Sequence, residues 1–165
     1  VTNWLLEGST LGGQMWVVDP NACKYRYLEN KRGSRDTAIH KEIQANEVRY
    51  EILGEGDSDV FLVAYGTTSR ICETVMQKAR AEGIRAGLFR PVTLFPFPVE
   101  QLNAAVGDRS VLVVEMSNGQ YRDDVLLHLA RRSSSEVSLV NRMGGNLVRV
   151  EDVIKAARGI VGVRA

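Results

Sequence analysis

Four short stretches rich in apolar residues, separated by stretches with helical spacing, dominate the sequence from Val60 onward and constrain the fold more than any other feature. The first run, 60–65, is apolar throughout, as expected for a strand that is covered on both faces. Further predicted strands, mostly apolar, follow at 84–89, 111–114 and 137–140. Because consecutive parallel strands need a crossover connection, this alternation predicts a three-layer α/β fold with a mostly parallel twisted sheet and helices on both faces.

Residues 1–52 differ in character from the rest, because glycines and a proline interrupt any long periodic pattern before the last third of this segment. Large apolar side chains such as Trp4 and Trp16 have no obvious element to bury them. The segment therefore either packs on something missing or wraps the domain that follows. Apolar residues recur at helical spacing over Asp36–Tyr50 and predict one helix there. The sequence does not begin with methionine, which is typical of a piece of a longer chain.

The composition argues against several kinds of partner. The formal net charge of +1 gives no electrostatic reason to expect nucleic acid or an anionic membrane. No apolar run approaches the ~20 residues that a membrane-spanning helix needs. Cys23 and Cys72 lie far apart, whereas an iron–sulfur cluster or a structural zinc needs about four spaced ligands. We expect two reduced thiols in a cytoplasmic protein; the alternative is a disulfide between them.

The loops at the carboxyl ends of parallel strands gather along one edge of the sheet, and sites form there. This rule selects four loops without saying what they bind. Their candidate residues are Gly66, Thr67 and Thr68; Arg90, Pro91, Thr93, Phe95, Pro96, Phe97 and Pro98; Glu115, Asn118, Gly119 and Gln120; and Arg142, Gly144 and Gly145.

The polar candidates in the glycine turns have two interpretations each. The turn at Gly66 either cradles an anion with free backbone N–H groups or is a simple glycine turn in which Thr67 and Thr68 cap a helix, and we favour capping. Glu115 stands near the end of an apolar strand, where a carboxylate must find a hydrogen-bond partner. Structural pairing of this carboxylate is favoured over acid–base catalysis.

The stretch Arg90–Pro98 is the most unusual of the four loops, because it holds three of the chain's 4 prolines. Proline fixes backbone angles, so Phe95 and Phe97 are held in place and have little entropy to lose on docking. Two interpretations stay open. The aromatic side chains either cover the domain's own core or form an interface with another domain or subunit.

Several segments together resemble one known family. The segments that carry the resemblance, in the family's order and spacing, are Ala64–Arg70, Gly87–Pro98 and Val113–Gln120. They are similar to the C-terminal domain of the alpha subunit of thiamine-diphosphate-dependent 2-oxoacid:ferredoxin oxidoreductases. Asn46–Glu51 and Arg142–Gly145 resemble the 2-ketoisovalerate branch. The resemblance covers about residues 44–158 and implies a transketolase C-terminal-like fold.

The resemblance implies a chemistry for the whole enzyme. Such an enzyme decarboxylates a 2-oxoacid oxidatively on thiamine diphosphate, reduces ferredoxin and releases an acyl-CoA. Thiamine diphosphate, Mg²⁺ and the iron–sulfur clusters are expected on other domains and subunits. We therefore predict no catalytic, cofactor-binding or metal-binding residue in this domain, and no activity when it is isolated.

The resemblance also implies an organisation and a set of partners. Residues 1–52 would be a linker and lead-in helix after a missing N-terminal domain, and residues 53–165 the transketolase C-terminal-like domain. The expected role is assembly with the beta, gamma and ferredoxin-like subunits, and with ferredoxin through the complex. One alternative is a domain of another thiamine enzyme, such as a transketolase or the beta subunit of a lipoamide-linked dehydrogenase. The other is a free-standing nucleotide-binding module that uses Gly66 and Gly119 as phosphate cradles.

Overall fold

The computed structural model describes residues 41–129 and 137–164. The chain divides into two compact units, Val1–Asn46 and Glu47–Ala165. In the first unit, residues 41–46 are helical. The elements of the second unit are β1 (Tyr50–Leu53), β2 (Val60–Val63), α1 (Gly66–Ala81), β3 (Ala86–Pro91), α2 (Val99–Val106), β4 (Ser110–Glu115), α3 (Gln120–His128), β5 (Val137–Asn141) and α4 (Val150–Arg164).

The five strands of the second unit form one sheet in the order β1-β3-β2-β4-β5. The strands β3, β2, β4 and β5 run parallel to their neighbours in that order. Only β1, at one side of the described sheet, runs antiparallel to its neighbour β3. The predicted α/β fold with a mostly parallel sheet is confirmed. The carboxyl ends of the four parallel strands therefore meet at one edge.

Both faces of the sheet are covered by helices, as the side chains of β2 illustrate. Leu62 packs in a buried cluster with Val75 of α1 and Val153 of α4. The neighbouring Phe61 points to the other face, where it packs with Leu102 of α2 and Val125 of α3. Since successive side chains of a strand face opposite sides, burial on both sides produces the unbroken apolar run seen in the sequence.

The structure differs from the sequence prediction at the start of the sheet. The predicted helix Asp36–Tyr50 ends at Asn46 in the described part, and Tyr50 begins the additional strand β1. This strand is held by pairing with β3, in which Tyr50 lies opposite Pro91. The ring of Tyr50 also stacks near that of Phe89, with centroids 5.9 Å apart. These tertiary contacts outweigh the weak helical preference of the segment.

Several residues named from the sequence lie outside the described part of the chain. They include Trp4, Trp16 and Cys23, so the linker and lead-in assignment of residues 1–52 stays a prediction. Cys72 is described and is a free, buried thiol. Burial raises the pKa of this thiol to about 12, so it stays protonated and unreactive at neutral pH. No helix in the ranges 41–129 and 137–164 is long and apolar enough to cross a membrane.

Candidate functional site

The loops that follow the four parallel strands form the candidate site, which we call the carboxyl edge. It comprises residues 64–69, 90–98, 115–120 and 142–149, in the order in which the chain visits them. Every residue selected from the sequence falls within these ranges. The role of each residue depends on whether it contacts other residues of this edge or is exposed to solvent.

Aromatic contacts join two of these loops to α3. The rings of Tyr65 and Tyr121 meet edge to face, with centroids 4.6 Å apart. Phe97 of the proline loop lies 6.5 Å from the Tyr121 ring and stacks on His128 at 4.7 Å. Aromatic pairs at these separations add to the stabilisation that burial of the rings gives. The loop that contains Phe97 is therefore on the same edge of the sheet as the glycine turns.

A buried carboxylate organises the loop after β4. Glu115 is 0 % exposed, and its Oε2 atom accepts hydrogen bonds from the Ser117 hydroxyl and the Tyr121 backbone N–H, both at 2.8 Å. The Glu115 carbonyl oxygen accepts a bond from the Arg142 N–H at 3.2 Å. The Asn141 side-chain amide donates to the Ser117 carbonyl at 2.8 Å. Glu115 and Asn141 thus connect the loops after β4 and β5.

Gly119 allows the chain to turn from β4 into α3. Its φ of 91° lies in the left-handed region, which residues with a side chain rarely adopt. A Cβ atom at Gly119 would lie 3.8 Å from Glu115 Oε1. The first turn of α3 donates the Tyr121 N–H to the Glu115 carboxylate, in the place where a phosphate binds at other helix N-termini. The protein's own carboxylate therefore occupies this anion position.

The turn at Gly66 differs from the sequence prediction. No side chain caps α1, so the prediction that Thr67 and Thr68 cap the helix is wrong. The Thr68 hydroxyl instead donates to the Tyr65 carbonyl at 2.6 Å, and Ser69 Oγ donates to the Gly66 carbonyl at 2.7 Å. The helix already begins at Gly66, which places both hydroxyls inside its first turn, where they reach carbonyls three residues back.

Hydrogen bonds fix the proline loop from within and from the segment before β1. The Thr93 hydroxyl donates to the Pro96 carbonyl at 3.1 Å, and Thr93 Oγ1 accepts from the Arg49 N–H at 3.1 Å. The Arg49 carbonyl in turn accepts from the Val92 N–H at 2.9 Å. Arg90 is paired with Glu51 of β1 at 2.9 Å. The loop therefore has a defined backbone conformation before any partner binds.

The two phenylalanines of this loop have different environments. One covers the domain's own core and the other is available for an interface, so each of the two interpretations from the sequence applies to one ring. Phe97 is half-buried and packs on the domain's own Tyr121 and His128. Phe95, two residues earlier, is 61 % exposed. Pro96 and Pro98 are buried. The same rigid loop thus covers part of the core and presents an aromatic ring to solvent.

The remaining candidates are mostly at the surface. Thr67, Asn118, Gln120, Arg142, Gly144 and Gly145 are exposed, and Pro91 is buried at the end of β3. Gln120 Oε1 accepts a bond from the Asn118 N–H at 3.3 Å. Arg142 donates to Asp152 of α4 at 2.7 Å, and this guanidinium lowers the pKa of that carboxyl. These polar groups stabilise the loops in which they lie.

Sequence reasoning selected Phe95 but missed the other exposed apolar side chains of the carboxyl edge. Among the described residues nine large apolar side chains are exposed, and six of them lie in these loops. They are Val92, Leu94, Phe95, Met116, Met143 and Leu147. The available signal was the presence of large apolar residues inside loops that glycine, proline and polar residues otherwise dominate. Contiguous exposed apolar surface marks interaction sites, and these six side chains all lie in loops at one edge of the sheet.

The described part of the carboxyl edge is better suited to contact with another protein surface than to acid–base catalysis. No three His, Cys, Asp or Glu side chains in the described ranges are grouped so that they could hold a metal ion. Burial raises the pKa of Tyr121, so its phenol stays neutral. The Tyr121 hydroxyl and Glu115 Oε1 are both buried and have no hydrogen-bond partner in the part of the chain that the structure describes.

The unpartnered phenol leads to a testable prediction. Replacing Tyr121 by phenylalanine is expected to leave the free energy of unfolding unchanged or to raise it by up to about 1 kcal/mol, because the variant no longer buries an unsatisfied hydroxyl. Urea unfolding of both proteins measures the difference, with Tyr65→Phe as the control at a half-buried ring. A loss of more than about 1 kcal/mol would show that the Tyr121 hydroxyl has a partner.

Comparison with known proteins identifies the family. The family model for pyruvate:ferredoxin oxidoreductase core domain II matches residues 58–153. The chain belongs to this family. Among curated relatives, the ketoisovalerate oxidoreductase subunit VorB of Methanothermobacter marburgensis is 46% identical over 121 residues, which are 73% of this chain and 34% of that protein. The 2-oxoglutarate synthase subunit KorA of Methanothermobacter thermautotrophicus is 36% identical over 72% of this chain and 31% of its own length.

Solved structures support the same fold. The 2-oxoglutarate:ferredoxin oxidoreductase of Magnetococcus marinus, solved with 2-oxoglutarate, coenzyme A and succinyl-CoA bound, has a TM-score of 0.66 at 20% identity. The alignment covers 90% of this chain and 25% of that one. An inactive beta4 tetramer of a split-gene transketolase has a TM-score of 0.59 at 20% identity and covers 71% of this chain and 42% of that one. The predicted transketolase C-terminal-like fold is confirmed.

The comparisons also show how much of its curated relatives this chain matches. It spans about a third of the length of the curated relatives that it matches. The predicted membership of the 2-oxoacid:ferredoxin oxidoreductase group, with relatives in its ketoisovalerate branch, is confirmed. The designation as an alpha subunit stays a prediction, since the relatives carry the names VorB and KorA.

Proposed function

We propose that this chain is a non-catalytic domain of an alpha-type subunit in a 2-ketoisovalerate-like 2-oxoacid:ferredoxin oxidoreductase. Its task is to dock on the rest of that enzyme through the carboxyl edge. The observation that carries the proposal is the concentration of exposed apolar side chains in loops with a fixed conformation. The occupant of this surface is the rest of the same enzyme, because the curated relatives are about three times as long as the matching part of this chain.

The whole enzyme would decarboxylate a 2-oxoacid oxidatively, form an acyl-CoA and reduce ferredoxin. Two observations on the described residues support a location of its cofactors outside this domain. The N–H of Tyr121 at the start of α3 already serves the Glu115 carboxylate, and the described acidic, histidine and cysteine side chains form no ligand group. We therefore place thiamine diphosphate, Mg²⁺ and the iron–sulfur clusters on other domains and subunits of a cytoplasmic complex. Beta, gamma and ferredoxin-like subunits are the proposed partners, with ferredoxin bound through the complex.

A domain without chemistry of its own can still determine turnover. Catalysis requires that reacting groups be held in place, and a displacement of about 1 Å can lower a rate by about 100-fold. A rigid domain that docks through preformed loops loses little conformational entropy when it binds. The hydrogen bonds of Thr93 and Glu115 supply that rigidity at the carboxyl edge.

Domain complementation tests the proposal. The chain is mixed with the rest of the oxidoreductase from the same organism, produced without this domain, and turnover of 2-ketoisovalerate is followed with an artificial electron acceptor. We expect no turnover by either part alone, and turnover together with a stable complex in sedimentation when both are present. Turnover by the chain alone would contradict its non-catalytic role, and failure to form the complex would contradict docking.

A further inference from the structure

We propose that Glu115 is a positioning residue for docking. Its buried carboxylate fixes the loops after β4 and β5 so that Met116 and Met143 are presented together to the partner. This inference rests on the proposed function, in which the carboxyl edge binds the rest of the oxidoreductase. Beyond that function, it names Glu115 as a residue that affects docking without contacting the partner. It also names Met116 and Met143 as the side chains through which Glu115 acts.

The burial of Glu115 needs an explanation other than stability. The side chain is 0 % exposed, yet two hydrogen bonds reach Oε2 and none in the described residues reaches Oε1. Burying a charged or polar group is unfavourable unless hydrogen bonds satisfy it, and apolar side chains of similar size often suit such positions equally well. The position therefore requires a hydrogen-bond acceptor, which an apolar residue cannot supply.

The first turn of α3 is the part of the chain that requires this acceptor. The first N–H groups of a helix have no partner within the helix and need another acceptor. Gly119 stands at the N-cap and has no side chain to supply one. Glu115, at the end of the preceding strand, accepts the Tyr121 N–H instead and also holds the Ser117 hydroxyl. The direction in which α3 leaves the sheet is therefore tied to β4 through this one carboxylate.

The same residue connects to the neighbouring loop. Its carbonyl accepts the Arg142 N–H, and Ser117, which its side chain holds, accepts the Asn141 amide through its own carbonyl. Met116 follows Glu115 directly and Met143 follows Arg142 directly, and both methionines are exposed. The connection through Ser117 and Asn141 depends on the carboxylate, so we expect its loss to shift the two exposed apolar side chains on these adjacent loops.

Amide exchange measured by NMR on the full 165-residue chain tests the first step. In Glu115→Gln, we expect the Tyr121 amide to exchange about 10-fold faster, because a neutral acceptor is roughly half as strong as a charged one. The Leu112 amide of β4, which reports on the whole fold, is expected to change by less than about 2-fold. Equal acceleration at both amides would assign Glu115 to general stability and overturn the proposal, as would unchanged exchange at Tyr121.

Affinity for the rest of the oxidoreductase tests the second step. We expect Glu115→Gln to weaken binding by about 10-fold, which corresponds to 1.4 kcal/mol. The control Glu55→Gln replaces an exposed acid in the loop between β1 and β2 and is expected to bind like the wild type. In a chain that carries Met116→Ser and Met143→Ser, the effect of Glu115→Gln should fall below about 2-fold, because residues that act together are not additive.

The outcomes separate this inference from the proposed function. If the wild-type chain does not bind the rest of the enzyme, docking and the role of Glu115 in it both fail. If the wild type binds and Glu115→Gln binds equally well, the docking surface stands and the positioning role of Glu115 is overturned. Full additivity with the methionine substitutions would likewise overturn transmission through Met116 and Met143.

Discussion

Replacing Leu94 or Leu147 by aspartate is expected to weaken docking on the rest of the oxidoreductase by about 100-fold, or about 2.7 kcal/mol. Leu94 is 47 % exposed and Leu147 is 62 % exposed, and they lie in the loops after β3 and β5. In the complex, each substitution removes apolar contact area and places an unpaired charge in a dry interface. In the free chain the new carboxylate remains in water, so the melting temperature should change by less than about 2 °C.

Leu127 provides a matched control for these two variants. It is 80 % exposed, more than either leucine of the carboxyl edge, and lies near the end of α3, the helix that starts at that edge. Leu127→Asp makes the same chemical change and is expected to leave the affinity within about 2-fold of the wild type, as is usual for surface substitutions outside an interface. Equal weakening by Leu127→Asp would indicate a nonspecific effect of charge and contradict a defined docking edge.

Turnover measurements distinguish docking from chemistry in the same variants. If Leu94 acts in binding alone, the turnover of the complemented enzyme should recover to the wild-type value once enough Leu94→Asp chain is added. The concentration that gives half-maximal activity should be about 100-fold higher, in proportion to the lost affinity. A maximal rate that stays low at saturation would mean that the carboxyl edge also contributes to a step after binding.

The parallel strands could be predicted from the sequence because strands that are buried on both faces consist mostly of apolar residues. Val60–Val63 is covered on both faces, so every position is apolar. Once the strands are placed, the rule that loops gather at their carboxyl ends locates the candidate site without any knowledge of side-chain contacts. Phe97, Glu115 and Gly119 were selected in this way, and the structure connects the first two to Tyr121 and brings the third beside Glu115.

Features that depend on tertiary contacts could not be read in the same way. Three of the four residues in β1 are exposed, so its sequence carries no apolar run, and pairing with β3 defines it. Because the helix begins at Gly66, the Thr68 hydroxyl lies in its first turn and not at the predicted capping position. Phe95 and Phe97 are chemically identical, and nothing in their local sequence tells which of the two rings is exposed. Hydrogen bonds of Thr93 to residues on both sides fix the conformation of their loop.

Replacing Phe61 by alanine is expected to lower the free energy of unfolding by about 3–5 kcal/mol. The ring is 0 % exposed and belongs to the core beneath α2 and α3. Its surroundings leave little space at Gly87, where a Cβ atom would lie 3.0 Å from the ring, and the Arg109 guanidinium lies over the ring at 5.6 Å from its centroid. Chemical denaturation measures the loss, and Phe61→Leu, which leaves a smaller cavity, should cost less than half as much.

Phe61→Ala also separates core stability from docking when it is compared with Leu94→Asp. Domains of this kind are stable by about 5–15 kcal/mol, so a loss of about 3–5 kcal/mol in Phe61→Ala removes a substantial part of that stability and lowers the melting temperature of the chain. A partner that binds only the folded form at 100 times its dissociation constant adds about 2.7 kcal/mol. The rest of the oxidoreductase should therefore raise the melting temperature of Phe61→Ala by several degrees and leave that of Leu94→Asp nearly unchanged at the same concentration. The reverse pattern would mean that Leu94 lies outside the docking surface and that Phe61 supports it directly.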